Sequence, residues 1–149
     1  MEFAPEVTAR LENKPGRLAK ICSALAHEKI DIRALAVMDA GDRSVLRLVT
    51  DRADEVRRVL TGLGVESKTD NVLAVEMDNR TGALARVIER LAEEHINVEY
   101  AYVSTAGPGR ALGIFHTDNP KKAQQVLAAQ AASGSNGGNQ AGRRPLHVR

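Results

Sequence analysis

Two short polar turns, each opening a helix, contain the residues best suited to bind a small charged molecule. The first is Asn13-Lys14-Pro15-Gly16-Arg17-Leu18, and the second, 66 positions later, is Asn79-Arg80-Thr81-Gly82-Ala83-Leu84. A helix N-terminus leaves about four N–H groups unpaired, and its dipole favours an anion. Glycine lets a carboxylate approach the backbone, and asparagine offers both a donor and an acceptor. Each turn therefore predicts a site for a zwitterion such as a free amino acid.

The start of the next strand offers each turn an acceptor for the ammonium group of such a ligand. Asp31-Ile32 follows the first helix, and Asn97-Val98 follows the second at the same 66-residue offset. We expect Asp31 and Asn97 to complete the two sites. The same turns are also good capping sequences that need no ligand, so spacing alone leaves capping and binding both open.

Periodicity in the first half of the chain predicts the elements that position the first turn. Residues 6–12 alternate as in a half-buried strand, and Leu18, Ile21, Cys22 and Leu25 recur as in an amphipathic helix. We expect Asn13 or Lys14 to cap that helix, with Pro15 in its first turn. Further strands are expected at 30–39, 44–50 and 65–69, and a second helix capped by Asp51 or Asp54.

The second half repeats this order, with strands expected at 72–78, 97–104 and 110–117 and helices at 81–94 and 120–131. The pattern fails near residues 131–137, which are too polar to form a buried strand. The sequence therefore predicts an α+β fold of two tandem ferredoxin-like βαββαβ modules, antiparallel sheets with helices on one face. The last strand of the second module is missing or displaced. The predicted divisions are 1–70 (the first module), 71–132 (the second module) and a flexible basic tail, 133–149. Within the tail, Pro145–Val148 are expected to fray, with a detached edge strand as the alternative.

These turns and the strands after them resemble those of the ACT domain family. The resemblance rests on residues 12–18 with Ile30-Asp31-Ile32, and on residues 78–84 with Ile96-Asn97-Val98, and it covers residues 5 to about 130. It implies two ferredoxin-like modules that pair with each other and bind a free amino acid at an interface between modules. The turn and the start of the second strand would supply the contacts. The second turn departs from the family pattern because Thr81 replaces the proline.

Composition narrows the classes of function. The chain has 149 residues, only 3% aromatic residues and no tryptophan, which argues against base stacking on single-stranded nucleic acid. Its net charge of +2 comes from the tail, where Arg143, Arg144 and Arg149 occur without an acidic residue. One cysteine, no secretory signal and no apolar run long enough for a membrane span predict a cytoplasmic protein.

No other group of residues predicts chemistry. The histidines, His27, His95, His116 and His147, lack the spacing of metal ligands. Gly107-Pro108-Gly109 reads as a hairpin, since it lacks the Lys-Ser/Thr of a phosphate loop. Tyr100 and Tyr102 are expected on the helix-facing side of their strand, in the core. We therefore expect no enzyme activity, metal or cofactor.

The sheet face away from the helices carries charges that change sign between the repeats. Arg10, Arg33 and Arg47 in the first module correspond to Glu76, Glu99 and Ile114 in the second. Such charges predict that the two sheets oppose each other within or between chains, although two separately solvated faces would show the same pattern.

The leading hypothesis is a non-enzymatic regulatory protein that senses a free amino acid at ACT module interfaces. It would act as a homodimer with a partner enzyme or regulator, without nucleic acid or membrane. The alternative is a ligand-free module for protein–protein assembly, joined through the sheet edge that a missing last strand leaves open.

Overall fold

One six-stranded antiparallel sheet, with strand order β2-β3-β1-β4-β6-β5, contains both repeats. The computed structural model describes residues 1–105 and 107–134, so residues 145–148, expected either to fray or to dock as an edge strand, lie outside the described residues. The predicted α+β fold of tandem ferredoxin-like modules is confirmed. In chain order, the elements are β1 (Glu2–Glu12), α1 (Arg17–His27), β2 (Ala34–Ala40), β3 (Arg43–Val49), α2 (Ala53–Gly62), β4 (Ser67–Asp78), α3 (Ala83–Glu93), β5 (Val98–Thr105), β6 (Arg110–Thr117) and α4 (Pro120–Gly134).

The ladder between β1 and β4 joins the two halves of the sheet. Residues 6–9 pair with 67–70, which places the end of the first module beside its own first strand. Residues 2–5 pair with 71–74, which places the N-terminus of the chain beside the first strand of the second module. The pair Pro5↔Asn71 has the 66-residue offset of the repeat, so the pseudo-twofold axis that relates the modules passes through it.

This pairing shows where the last strand of the second module has gone. Residues 2–5 occupy that sheet position, so the strand is displaced to the N-terminus and the predicted open edge does not form. The edges of the sheet are β2 and β5 instead. Pro5 lies where β1 pairs only with β4, because the ladder with β3 begins at Glu6. A residue without an N–H is tolerated where a strand has one neighbour.

Four helices cover one face of the sheet and form two separate cores. Leu46, Leu48, Leu25 and Leu60 are fully buried in the first core, and Leu73, Leu91 and Phe115 in the second. The amphipathic spacing of α1 is confirmed at Ile21 and Leu25. Leu18 and its counterpart Leu84 remain exposed, so the buried stripe does not include Leu18, contrary to the prediction.

The helix starts differ from the prediction. Gly16 is the N-cap of α1, in a left-handed conformation, so Asn13 and Lys14 are not caps and Pro15 precedes the helix. The predicted caps Asp51 and Asp54 are also wrong, because Arg52 occupies that position in α2. The Arg52 guanidinium binds Glu55 in the first turn and the carbonyl oxygen of Lys29 at 2.8 Å, which holds the residue in place.

Three strand and helix boundaries also differ. The predicted strands 65–69 and 72–78 form one continuous strand, β4, because β1 pairs with both parts. The predicted boundary at residue 70 therefore falls inside a strand, and the division of the chain there stays a prediction. The strand predicted from residue 30 begins at Ala34, because Ile30 still belongs to the end of α1: its N–H donates a hydrogen bond to the Leu25 carbonyl oxygen. Helix α4 continues past the predicted 131 to Gly134.

We predict that deleting residues 1–5 lowers the free energy of unfolding by about 2–4 kcal/mol, since it removes a row of ladder hydrogen bonds and the buried Ala4 side chain. Chemical denaturation measures this loss. Hydrogen exchange should become faster in residues 71–74 and stay unchanged in the β2–β3 hairpin, which serves as the internal control. Unchanged exchange in residues 71–74 would contradict the proposed strand displacement.

Candidate functional site

The two predicted turns have the same backbone geometry. Gly16 has φ +85° and Gly82 has φ +84°, both in the left-handed region that favours glycine. The N–H groups of Lys20 and Arg86 donate to the carbonyl oxygens of these glycines at 3.0 and 3.1 Å, which begins the helical pattern at the same place. The repeated glycine therefore has a structural cause in both turns.

Neither helix start is capped by a side chain. In α1 the N–H groups of Leu18 and Ala19 donate no hydrogen bond to any described residue, and in α3 the same holds for Leu84 and Ala85. Such groups are the ordinary binding point for an anion at a helix start. The capping interpretation of Asn13 and Asn79 is therefore wrong, and both turns keep free donors for a ligand.

The two asparagines have different surroundings. The Asn79 side-chain amide donates to Thr105 Oγ1 and to the Gly107 carbonyl oxygen, both at 2.7 Å, and so ties the second turn to the β5–β6 hairpin. The Asn13 side chain makes no hydrogen bond to any residue that the structure describes. Its donor and acceptor therefore remain available, and the first turn is the more open of the two.

The strand starts Asp31-Ile32 and Asn97-Val98 do not lie beside the turns of their own modules. The Asp31 carbonyl oxygen accepts a hydrogen bond from the Thr50 hydroxyl, which places it towards the N-terminal end of β1, near the pair Glu6↔Val49. The first turn lies at the other end of β1, roughly 20 Å away at the rise of a strand. Because β1 and β4 are antiparallel, the two modules point in opposite directions. Asn97-Val98 of the second module therefore lies at the same end of the sheet as the first turn, and Asp31-Ile32 of the first module lies at the same end as the second turn.

An open groove of about 830 Å³ lies beside the first turn, within the size range of small-molecule sites. It is lined by residues 8–10 and 12 of β1, by Arg17 and Arg43, and by residues 64–68 at the start of β4. It exists because the β1–β4 ladder ends at Ala9↔Ser67, so that residues 10–12 have no partner on that side. Of the predicted turn residues, only Arg17 lines it.

The groove is basic. Four basic side chains (Arg10, Arg17, Arg43 and Lys68) and two acidic ones (Glu12 and Glu66) line it. Arg10, Arg17 and Arg43 form no ion pair with any residue in the described part of the chain. Lys14 at 3.0 Å, and then Arg17 and Arg43, hold the pKa of the Glu12 carboxyl below its usual range. The local field therefore favours an anion, as the predicted carboxylate site requires.

The equivalent positions of the second module have lost this charge. Glu76 replaces Arg10, Ala83 replaces Arg17, and Glu2 replaces Lys68. Arg110, the counterpart of Arg43, is already paired with Glu76 at 3.2 Å and with Asp78 at 3.6 Å. The two turns therefore share a backbone geometry but differ in charge. The second turn keeps the Arg86 guanidinium close to Gly82, without an ion pair to any described residue, but it lacks the counterparts of Arg10 and Arg17.

A buried polar cluster on the face away from the helices connects the modules. The Glu6 carboxylate, which is fully buried, accepts hydrogen bonds from the hydroxyls of Tyr100 and, at 2.7 Å, Tyr102. The Arg47 guanidinium lies 3.6 Å from Glu6 and 3.6 Å above the Tyr100 ring, which stacks on His116. In a flat sheet β5 would lie about 14 Å from β1, so the sheet must curl to bring these groups together.

This cluster corrects two predictions. Tyr100 and Tyr102 do not face the helices, since a register irregularity between Val98 and Tyr100 turns them to the concave face. The two sheets do not oppose each other within the chain, because they form one continuous sheet. Arg10 and Glu76 do not meet, and Arg33 binds Glu2 and Asp51 at the end of β1.

Sequence reasoning missed Arg43, the residues around Ser67 and the role of Glu6. The repeat itself contained a signal for the groove, since basic residues of the first half become acidic or apolar in the second. No local pattern marks Glu6, whose partners lie 94 and 96 residues away.

In the described part of the chain, no group of three or more His, Cys, Asp or Glu side chains could hold a metal ion. None of the described helices is long and apolar enough to cross a bilayer.

We predict that Gly16→Ala lowers the free energy of unfolding by about 1 kcal/mol, because a Cβ is strained at φ +85° although the surrounding space is open. Gly16→Asn should cost less, since asparagine tolerates this conformation. Gly62→Ala is the matched control, because Gly62 ends α2 without a positive φ, and alanine should be neutral or stabilising there. Urea denaturation of the three variants provides the measurement, and an equal effect at both glycines would refute the explanation.

We also predict that the protein loses stability as the pH rises above about 10. Burial, and then hydrogen bonding to Glu6, raises the pKa of Tyr100 and of Tyr102 well above its usual range. A raised pKa contributes stability that is fully present below the unfolded value and is lost as the pH rises towards the folded value.

The Tyr100→Phe/Tyr102→Phe variant should be about 1–3 kcal/mol less stable at pH 7, because Glu6 loses both donors.

Urea denaturation between pH 8 and pH 11 tests this dependence. The double variant should show a shallower loss of stability than the wild type, because the two phenols no longer titrate. All other groups are common to both proteins and cancel in the comparison. Parallel curves would mean that the phenols do not carry the effect.

Comparison with known proteins supports this architecture. Residues 5–134 match a family described as an ACT domain pair. Protein BT0572 from Bacteroides thetaiotaomicron is 29% identical with a TM-score of 0.80, covering 87% of this chain and 89% of that one. The ligand-free regulatory subunit of aspartate kinase from Thermus thermophilus is 16% identical with a TM-score of 0.67, covering 87% and 97%, and so shares the fold. No protein of curated function matches the sequence. The chain belongs to the ACT domain family, as an ACT domain pair.

Proposed function

We propose that this ACT domain pair is a non-enzymatic regulatory protein that binds a free amino acid at the first turn. The observation that carries the proposal is the uncapped start of α1 beside a groove lined by unpaired guanidinium groups. The N–H groups of Leu18 and Ala19 would receive the ligand's α-carboxylate. Glu12 or Glu66 in the groove, or the Asn13 amide oxygen, would accept from its ammonium group.

The proteins in which this fold has been found support the proposal of a regulatory role. Solved structures with it include regulatory subunits of aspartate kinase from Thermus thermophilus and Thermus flavus. We propose that the present chain likewise works with a separate partner, in the cytoplasm, and that ligand binding changes the affinity for that partner. By linkage, the ligand can do so only to the extent that it prefers one state of the protein.

The two edges of the sheet support assembly into a homodimer. Val37 on β2 and Leu18 on α1 are 37% and 36% exposed, and their counterparts Val103 and Leu84 on the opposite edge are 38% and 42% exposed. Apolar side chains beside an unpaired strand edge are typical of an interaction surface. The same observation favours the second candidate function, a ligand-free assembly module, now through the edges β2 and β5.

A thermal-shift screen against the twenty amino acids separates the two functions. A ligand present at about 100 times its dissociation constant should add about 2.7 kcal/mol of stability. A flat screen, confirmed by equilibrium dialysis, would overturn the sensor and leave the assembly module.

Variants then locate the site. Arg17→Ala, which copies the alanine found in the second module, and Asn13→Ala should each reduce the response. Asn79→Ala and Arg80→Ala are the matched controls and should leave ligand affinity unchanged. Loss of the response only in the controls would place the ligand at the second turn.

A further inference from the structure

We propose that the ligand of the basic groove is an amino acid with a second, side-chain carboxylate. This inference rests on the proposed function and specifies the ligand class. The groove presents more positive charge than the α-carboxylate of a neutral amino acid would use. One guanidinium and the helix N-terminus suffice for that group, whereas Arg10, Arg17 and Arg43 all lack an ion-pair partner among the described residues.

The position of these groups fits a ligand with two anionic ends. Arg17 begins α1 beside the first turn, whereas Arg10 lies on β1 and Arg43 starts β3. The residue pairs Arg10↔Val45 and Glu12↔Arg43 place both of these guanidinium-bearing positions at the same end of the sheet as the turn. A guanidinium binds a carboxylate through two parallel hydrogen bonds, which favours a planar carboxylate at each end of the ligand.

The acidic residues in the groove indicate that the ligand is also an amine. Glu66 forms no ion pair within the described residues, and Glu12 lies among Lys14, Arg17 and Arg43 with a lowered pKa. A simple anion such as phosphate would leave both carboxylates without a cationic partner from the ligand. A dicarboxylic amino acid instead matches two carboxylates to the arginines and its ammonium to a glutamate.

The second module provides an internal comparison. It keeps the glycine turn and the uncapped helix but has Glu76, Ala83 and Glu2 where the first module has Arg10, Arg17 and Lys68. Its remaining groove cation, Arg110, is already paired with Glu76 and Asp78. Arg86 lies beside Gly82 at the second turn, but the additional positive charge at the positions of Arg10, Arg17 and Lys68 belongs to the first module alone and does not follow from the fold.

Isothermal titration with matched acid and amide ligands tests the proposal. L-aspartate and L-glutamate should bind at least about tenfold more tightly than L-asparagine and L-glutamine, which have nearly the same shape without the second charge. Inorganic phosphate is the additional probe. Amides that bind as tightly as the acids would overturn the ligand class and leave the proposed function standing. Inorganic phosphate that binds as tightly as the acids would reveal a simple anion site and also overturn it.

Arg43→Gln identifies the residue that reads the second carboxylate. This exposed side chain has no ion pair within the described residues, so its loss should not disturb folding. The variant should bind the acids about tenfold more weakly and the amides with unchanged affinity. Arg110→Gln is the matched control in the second module and should change neither. Equal weakening for acids and amides would overturn the assignment, whereas no binding of any amino acid to the wild type would overturn the proposed function as well.

Discussion

The ladder between β1 and β4 is the interaction on which the rest of this structure depends. Each strand contributes one half to each module, so neither four-stranded unit is complete without the other. The N-terminal residues 2–5 take the place of a last strand that the second repeat does not supply. Because both strands extend beyond the ladder, each leaves a short unpaired edge next to its turn, and the groove at the first turn is a direct consequence.

The Glu6 cluster links the two modules across the concave face of the curled sheet. A fully buried carboxylate costs a great deal of free energy unless it is hydrogen-bonded, and here the second module supplies both hydroxyl donors. The equivalent positions on the other side of the pseudo-twofold axis are apolar or small, with Val72 for Glu6, Ala34 for Tyr100 and Ile114 for Arg47. One half of the concave face is thus polar and the other apolar, so the duplicated modules are no longer interchangeable.

The same asymmetry appears at the two turns. Their glycines and helix starts coincide, but the charges around them do not. Arg10, Arg17 and Arg43 near the first turn form no ion pair with the described residues, whereas near the second turn Arg80 and Arg110 are paired with acids and Arg86 is not. The two turns thus share a backbone conformation, whereas the proposed ligand site depends on the charges of the first module alone. This difference also explains why the two turns should respond differently to the same substitution.

The sequence by itself determined what depends on local and periodic information. Residue types at short spacing indicate the glycine turns and the buried stripes of the helices. Comparison of the two halves of the chain then reveals the 66-residue repeat and, with it, the tandem ferredoxin-like architecture. The N-caps were predicted wrongly, because a left-handed glycine takes the place of the expected cap in α1 and Arg52 takes the place of the expected aspartate cap in α2. Only the tertiary structure decided the position of residues 2–5, the burial of Glu6 and the orientation of Tyr100 and Tyr102. These depend on strand pairing and sheet curvature between residues up to 96 positions apart, which no local pattern encodes.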